Sequence, residues 1–216
     1  MKSFLIIGMG RFGHHLAEDF IERGHSVMAI DINEDNIRDV VNTVTSVKIA
    51  DCTNNAVLES LGIGNFDVVF VCIGTNFQSS LEITSLVKEM GAQWVVSRAT
   101  RDIQAKFLLR NGADEVVYPE KDIAQRSAAK YSVKNIFDYI ELTKGYAIYE
   151  ICPLKKWIGK SIRTLDIAAN YHISILGTKK GHERNIMPSA DYIIQDSEHL
   201  IVLASDLDIM KVINNK

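Results

Sequence analysis

Phe4-Leu5-Ile6-Ile7-Gly8-Met9-Gly10-Arg11-Phe12-Gly13 runs from an apolar segment into a glycine turn, and Leu16-Ala17-Glu18-Asp19-Phe20-Ile21 continues it at helical spacing. Beyond Gly24, Val27-Met28-Ala29-Ile30 is a second apolar run, and Asp31 closes it. The order is strand, glycine turn, helix, strand and terminal acid, which is the pattern of a βαβ nucleotide-binding unit. Each glycine has its own task. Gly8 allows the tight turn, Gly10 lets the backbone approach a pyrophosphate, and Gly13 lets the helix pack closely on the sheet. The helix start offers free N–H groups and a positive dipole end to phosphate oxygens. Asp31 stands 18 positions after Gly13, where an acid can bond a ribose hydroxyl.

The alternation continues outward from this unit. A helix is predicted near Ile37–Asn42, a strand over Val44–Ala50 ending at Asp51-Cys52-Thr53, and a helix over Ala56–Leu61 stopped by Gly62. Phe66–Ile73, apolar apart from Asp67, reads as a strand of a parallel sheet covered on both faces. Gly74-Thr75-Asn76 ends it and starts a helix over Phe77–Met90. Trp94–Ser97 with Arg98 at its tip, a helix over Asp102–Asn111, a strand over Glu115–Tyr118 and a helix from Pro119 to about Lys134 follow. Six strands alternating with helices predict an α/β, doubly wound parallel Rossmann domain over residues 1–135.

Ligands of such sheets lie outside the carboxyl ends of the strands. The polar residues there are the candidates: Asp31, Asp51, Thr53, Gly74, Thr75, Arg98 and Glu120. Thr75 and Asn76 also suit a helix cap. Arg11 stands at the phosphate end, where a guanidinium can grip a terminal phosphate, which favours ADP or ATP over a closely wrapped NAD. Glu120 suits either a counter-charge to Arg11 or a divalent cation bridging phosphates; an acid complementing a helix dipole is the alternative.

After Asn135 the pattern changes. Phe137–Leu142 leads to a junction at Gly145, and Tyr146–Cys152 reads as an alternating strand. A loop with Trp157 and Gly159 and a short helix capped by Ser161 follow. Further strands are expected at Ile173–Thr178, Asn185–Met187, Tyr192–Ile194 and His199–Ala204, with a hairpin turn at Lys179–His182 and a closing helix over Asp206–Ile213. Residues 136–216 thus form a small α+β module, too small to bury a large core alone, and are expected to pair with a second copy.

Composition narrows the class. The chain has 216 residues, 47% of them apolar and 24% charged, with a net charge of −3, so no basic footprint points to nucleic acid. Apolar runs fall short of the ~20 residues a membrane span needs, and Met1-Lys2 leads directly into a strand with no leader pattern, so a cytosolic protein is expected. Cys52, Cys72 and Cys152 are far apart and make no CxxC or Cys/His cluster; they read as buried or half-buried thiols.

These motifs together resemble the RCK (regulator of K+ conductance) or TrkA-like family, and within it the KtrA-type subunits of bacterial potassium uptake systems. Gly8–Gly13, Ala29-Ile30-Asp31-Ile32-Asn33-Glu34, Gly74-Thr75-Asn76, Gly112-Ala113-Asp114 and Tyr118-Pro119-Glu120-Lys121-Asp122 carry the resemblance. Gly159–Leu165 and Asp196–Leu200 match the second, RCK-C type module. The resemblance implies an RCK-N domain with its RCK-C dimerisation and ligand domain, acting as a non-enzymatic gating subunit. Gly8, Met9, Gly10, Arg11, Phe12 and Gly13 would lie at the phosphates, Asp31 at the ribose, and Asp51, Cys52 and Thr53 near the adenine; Ile32, Ile73, Gly74 and Arg98 complete the expected cofactor-binding set. Arg11 would touch the γ-phosphate of ATP, and Glu120 would hold a divalent cation, Mg or Ca, between subunits. Dimers would assemble into an octameric ring at the inner face of the membrane, beneath a potassium-translocating subunit of the KtrB/TrkH kind.

One departure concerns cyclic di-AMP, which related KtrA modules bind through an Arg and an Asn. Those positions read Ala168 and Ser174 here, and the usual Tyr-Gly turn reads Tyr171-His172, while Ile162 and Pro188 remain. Two rival readings stay open: an NAD(P)-dependent oxidoreductase, against which His172, His182 and His199 offer no sequence-adjacent acid–base partner, and a stand-alone nucleotide sensor.

Overall fold

The computed structural model describes residues 1–132 and 136–214. The chain folds into two compact units, Met1–Glu120 and Lys121–Lys216. The helix end expected at Lys134 and the domain limit expected at Asn135 lie outside the described residues.

The first unit holds strands β1 (Ser3–Ile7), β2 (Ser26–Asp31), β3 (Ser46–Ile49), β4 (Val68–Val71), β5 (Val95–Arg98) and β6 (Glu115–Val117). All pair in parallel in the order β3-β2-β1-β4-β5-β6, which is the doubly wound order with its switch point beside β1. Between them run helices α1 (Arg11–Glu22), α2 (Glu34–Arg38), α3 (Asn55–Glu59), α4 (Phe77–Glu89) and α5 (Asp102–Arg110). Side chains alternate across a strand, so β1 feeds two cores. Phe4 and Ile6 pack with Ala17 of α1, while Leu5 and Ile7 pack with Ile83 and Val87 of α4. At the far end of α1 Phe20 stacks on Phe4 with centroids 3.8 Å apart, which fixes the helix axis over the sheet.

Several expected boundaries shift for local reasons. The helix expected over Ile37–Asn42 starts earlier, because Asn33 caps it by accepting from Asp35 N–H at 3.0 Å. The strand expected over Val44–Ala50 keeps only Ser46–Ile49, since β3 is an edge strand paired to β2 alone. The three cysteines are free thiols: Cys52 and Cys72 are buried and Cys152 half-buried.

Helix α6 (Pro119–Ser132) follows, and the second unit then forms an antiparallel sheet in the order β10-β9-β11-β8-β7. Its strands are β7 (Ile136–Thr143), β8 (Tyr146–Ile151), β9 (Ile173–Lys180), β10 (Glu183–Ile186) and β11 (His199–Ser205). Helices α7 (Ile162–Leu165), α8 (Ile167–Tyr171) and α9 (Asp206–Asn214) complete it. Trp157 is fully buried against Ile151, Leu200 and Ile209, with Tyr171 edge-on at 5.0 Å. Ser161 caps α7 as expected, accepting from Thr164 N–H at 3.1 Å. Two expectations are corrected. Gly145 is not a junction between modules but the turn of a hairpin, at φ +84, that joins edge strand β7, with Phe137–Leu142 as its body, to β8. Tyr192–Ile194 is not a strand: only a single bridge, Ser161 to Ile193, forms there, and Ile194 is fully buried in the core instead.

Among the described residues no helix is long and apolar enough to cross a membrane.

Candidate nucleotide site at the carboxyl ends of the first sheet

Gly8 and Gly13 take the turn and packing roles that their spacing predicts. Gly8 has φ +99, and its N–H donates to Ile30 O at 2.8 Å, tying the loop to β2. A Cβ on Gly13 would lie 2.2 Å from Gly8 O, so only glycine lets α1 start this close to the loop. A Cβ on Gly10 would meet nothing within 4 Å. The fold therefore makes no demand for glycine at position 10; the open space is what a phosphate approaching the backbone requires.

Helix α1 begins uncapped. Asn33, Asn54 and Asn76 cap α2, α3 and α4 with a side-chain oxygen, but Gly10 offers none to α1 and no acid stands in its first turn. Its leading N–H groups are thus left without a side-chain cap. Arg11 sits at the first helical position, exposed, with no ion-pair partner among the described residues.

Asp31 ends β2 beside this loop. One carboxylate oxygen accepts from Met9 N–H at 2.6 Å and from Asn36 Nδ2 at 3.1 Å; the other accepts from Asn33 N–H at 2.8 Å. The acid thus holds the glycine loop in place. Asn36 in this role was not legible in the sequence, because it reaches back from the next helix. The Met9 side chain is buried in the core, so position 9 contributes its backbone alone. Ile32 is exposed, 67% by relative area.

At the end of β3 the Asp51 carboxylate accepts from Thr53 N–H and Oγ1 at 2.9 and 2.8 Å, and these bonds hold its pKa below the ordinary carboxylate value. Cys52 between them is buried, and burial followed by the Asp51 charge pushes its thiol up to about 12. It is a neutral packing group. Ile73 is half-buried against the core, and Asn76 caps α4 by accepting from Ser79 N–H at 3.2 Å.

A second group assembles around Arg98. Its guanidinium donates to Glu120 and lies 6.0 Å over the ring of Phe12. A Cβ on Gly74 would come within 2.7 Å of its Nη1, so glycine clears the space for it. Its Nε is buried with no hydrogen-bond partner among the described residues. Glu120 therefore pairs with Arg98 within the chain, not with Arg11. The structure brings Phe12, Gly74, Arg98 and Glu120 together at one edge of the loop and leaves Arg11 on its open side.

Fold and site define a class: a Rossmann-type dinucleotide or nucleotide domain carrying a small antiparallel module. Family models of the TrkA-N domain and the TrkA-C domain match residues 4–119 and 147–216. Ktr system potassium uptake protein C of Bacillus subtilis (strain 168) is 38% identical over 97% of this chain and 95% of its own. Ktr system potassium uptake protein A of the same strain is 35% identical over 99% and 96%. The chain belongs to the TrkA-N/TrkA-C family and is of the KtrA type. Its fold is also that of the GsuK RCK domain, with a TM-score of 0.69 and 16% identity over 99% of this chain. It spans 48% of that chain, and 38% of the GsuK channel bound to NAD, where the TM-score is 0.68.

Proposed function

We propose that this protein is a cytosolic nucleotide-sensing subunit that regulates a membrane potassium-translocating subunit of the KtrB/TrkH kind. ATP or ADP docks its phosphates over Gly8–Gly13, with NAD(H) as the other possible occupant. The observation that carries this reading is the open Gly10 backbone at the uncapped start of α1, with the Asp31 carboxylate beside it. Membership among Ktr potassium uptake proteins supplies the process. That solved GsuK chains are described as bound to NAD and to ADP fits a site of this class.

The division of labour follows from the chemistry. Main-chain N–H groups of the loop and α1 hold the diphosphate, Asp31 exchanges a loop contact for a ribose hydroxyl, and Asp51, Cys52 and Thr53 border the base. ATP and ADP differ by one phosphate, so only contacts to that phosphate can bias two states. Arg11 is the cation on the open side able to make one. Driving a two-state assembly from mostly closed to mostly open takes roughly 5 kcal/mol of differential binding over all sites. In this reading residues 1–135 are the sensor, and 136–216 the dimerisation and ligand module. Dimers build an octameric ring at the inner face of the membrane.

Two ligands fit less completely. Glu120 is a single carboxylate already paired to Arg98, so a Mg or Ca ion there needs oxygen ligands from a neighbouring subunit as well. Cyclic di-AMP would meet Ala168 on α8 and an exposed Ser174 on β9 where related modules place charged and amide groups. His172 holds the turn itself at φ +55.

Isothermal titration of the full chain with ADP, ATP and NADH tests the reading. Tight binding of one adenine nucleotide per chain supports it; no heat with any of the three removes it. Sustained NADH oxidation with carbonyl substrates would favour the oxidoreductase reading, and failure to co-purify with a membrane potassium-translocating subunit would favour a stand-alone sensor.

A further inference from the structure

We propose a transition-metal site on α1, one turn after the glycine loop, formed by His14, His15 and Glu18. The three residues use both spacings that bring side chains together on a helix: His14 to Glu18 is i,i+4 and His15 to Glu18 is i,i+3. Glu18 is therefore the shared member, with an imidazole converging on it from each side.

The distances fit an ion. The same Glu18 oxygen, Oε2, lies 3.4 Å from His14 Nδ1 and 3.5 Å from His15 Nδ1. These separations exceed the usual 2.7–3.2 Å range of a good N–H···O hydrogen bond. They match the edge of a tetrahedron whose centre binds nitrogen and oxygen at about 2.1 Å, which is about 3.4 Å. One ligand atom from each residue falls within 4.8 Å of the others. The two rings stand edge-on, 79° apart with centroids at 6.1 Å, so neither ring stacks over the other.

The donor set selects the ion. Two imidazoles and one carboxylate suit zinc and its late first-row neighbours, whereas Mg and Ca take oxygen ligands. The side chains are 28%, 80% and 44% exposed, which leaves the fourth position to water. The main-chain N–H of His14 closes the first turn of α1 on Gly10 O at 2.9 Å, so the residue brings only its imidazole to the site.

The test is zinc titration of the chelator-stripped full chain by calorimetry, with Co(II) absorption as a second readout. Expected is one zinc equivalent, a Co(II) visible spectrum without the sulfur-to-metal charge-transfer band, and affinity at least about ten-fold weaker in His15→Ala and in Glu18→Gln. Cys152→Ser should bind like the parent. His15 is exposed and Glu18 largely so, and His15→Ala and Glu18→Gln should therefore keep the parent melting temperature without metal. The proposal is overturned if the His14→Ala/Glu18→Gln double variant binds zinc with unchanged stoichiometry and affinity, if Co(II) shows thiolate charge transfer that Cys152→Ser removes, or if the parent binds no zinc.

Discussion

Gly10 and Gly13 are three residues apart, and the structure gives them opposite requirements. Gly13→Ala drives a Cβ into Gly8 O and should cost about 1–3 kcal/mol in urea unfolding, with strain between loop and helix as the cause. Gly10→Ala has open space and φ −68, which alanine adopts freely, so stability should stay within about 0.5 kcal/mol of the parent while ADP affinity falls. Arg11→Ala should lower ADP affinity modestly and abolish the preference for ATP; an intact ATP preference in competition titrations would take Arg11 out of the γ-phosphate role. Asp31→Ala frees the Met9 and Asn33 N–H groups as well as removing the ribose acceptor, so nucleotide affinity should drop at least about ten-fold. The glycines and Asp31 were legible in the sequence, because their spacing along one βαβ unit is the signal. Asn36 on Asp31, Glu120 on Arg98 and the His14–His15–Glu18 group were not, since each depends on which way a side chain turns after the backbone is set.

Elements with a buried stripe and a glycine stop were readable almost to the residue, as α4 and α5 show. The edge strands were harder. β7 has one paired side, and Asp138 and Glu141 interrupt its apolar alternation, so no period-2 pattern survives. The sheet also hides an ion cluster invisible in sequence. Glu150 on β8 accepts from His199 Nδ1 on β11 at 2.6 Å and from Lys179 Nζ on β9 at 3.0 Å, with the His199 ring stacked on Phe137. Burial alone would raise the Glu150 pKa, but its bonds to His199 and Lys179 outweigh burial and hold it below the ordinary 4.5. A lowered carboxylate pKa adds stability that is complete above pH 4.5 and is lost as pH falls through the depressed value. The stability of the second unit should therefore fall as pH drops below 4.5, and Glu150→Gln should flatten that slope in a pH series of urea melts. An identical acid slope in the variant would exclude Glu150 as its source.

For the whole molecule, sequence distinguished the two architectures because the change from alternating β and α segments to successive strands is coarse and needs no side-chain geometry. Assembly lies beyond one chain's own packing. The octameric ring proposed above predicts a species of about 194 kDa, eight times 24.2 kDa, in native mass spectrometry; a monomer or isolated dimer at micromolar concentration would contradict it. Without an adenine nucleotide on the glycine loop, such an assembly would have no trigger of the kind argued here. The most direct measurement is calorimetric titration of ADP into the parent chain and into Gly10→Ala, with melting curves of both. The account predicts one ADP per parent chain and, in the variant, an unchanged melt with binding weakened at least about ten-fold. Equal ADP affinity in the two proteins, or none in the parent, would contradict it.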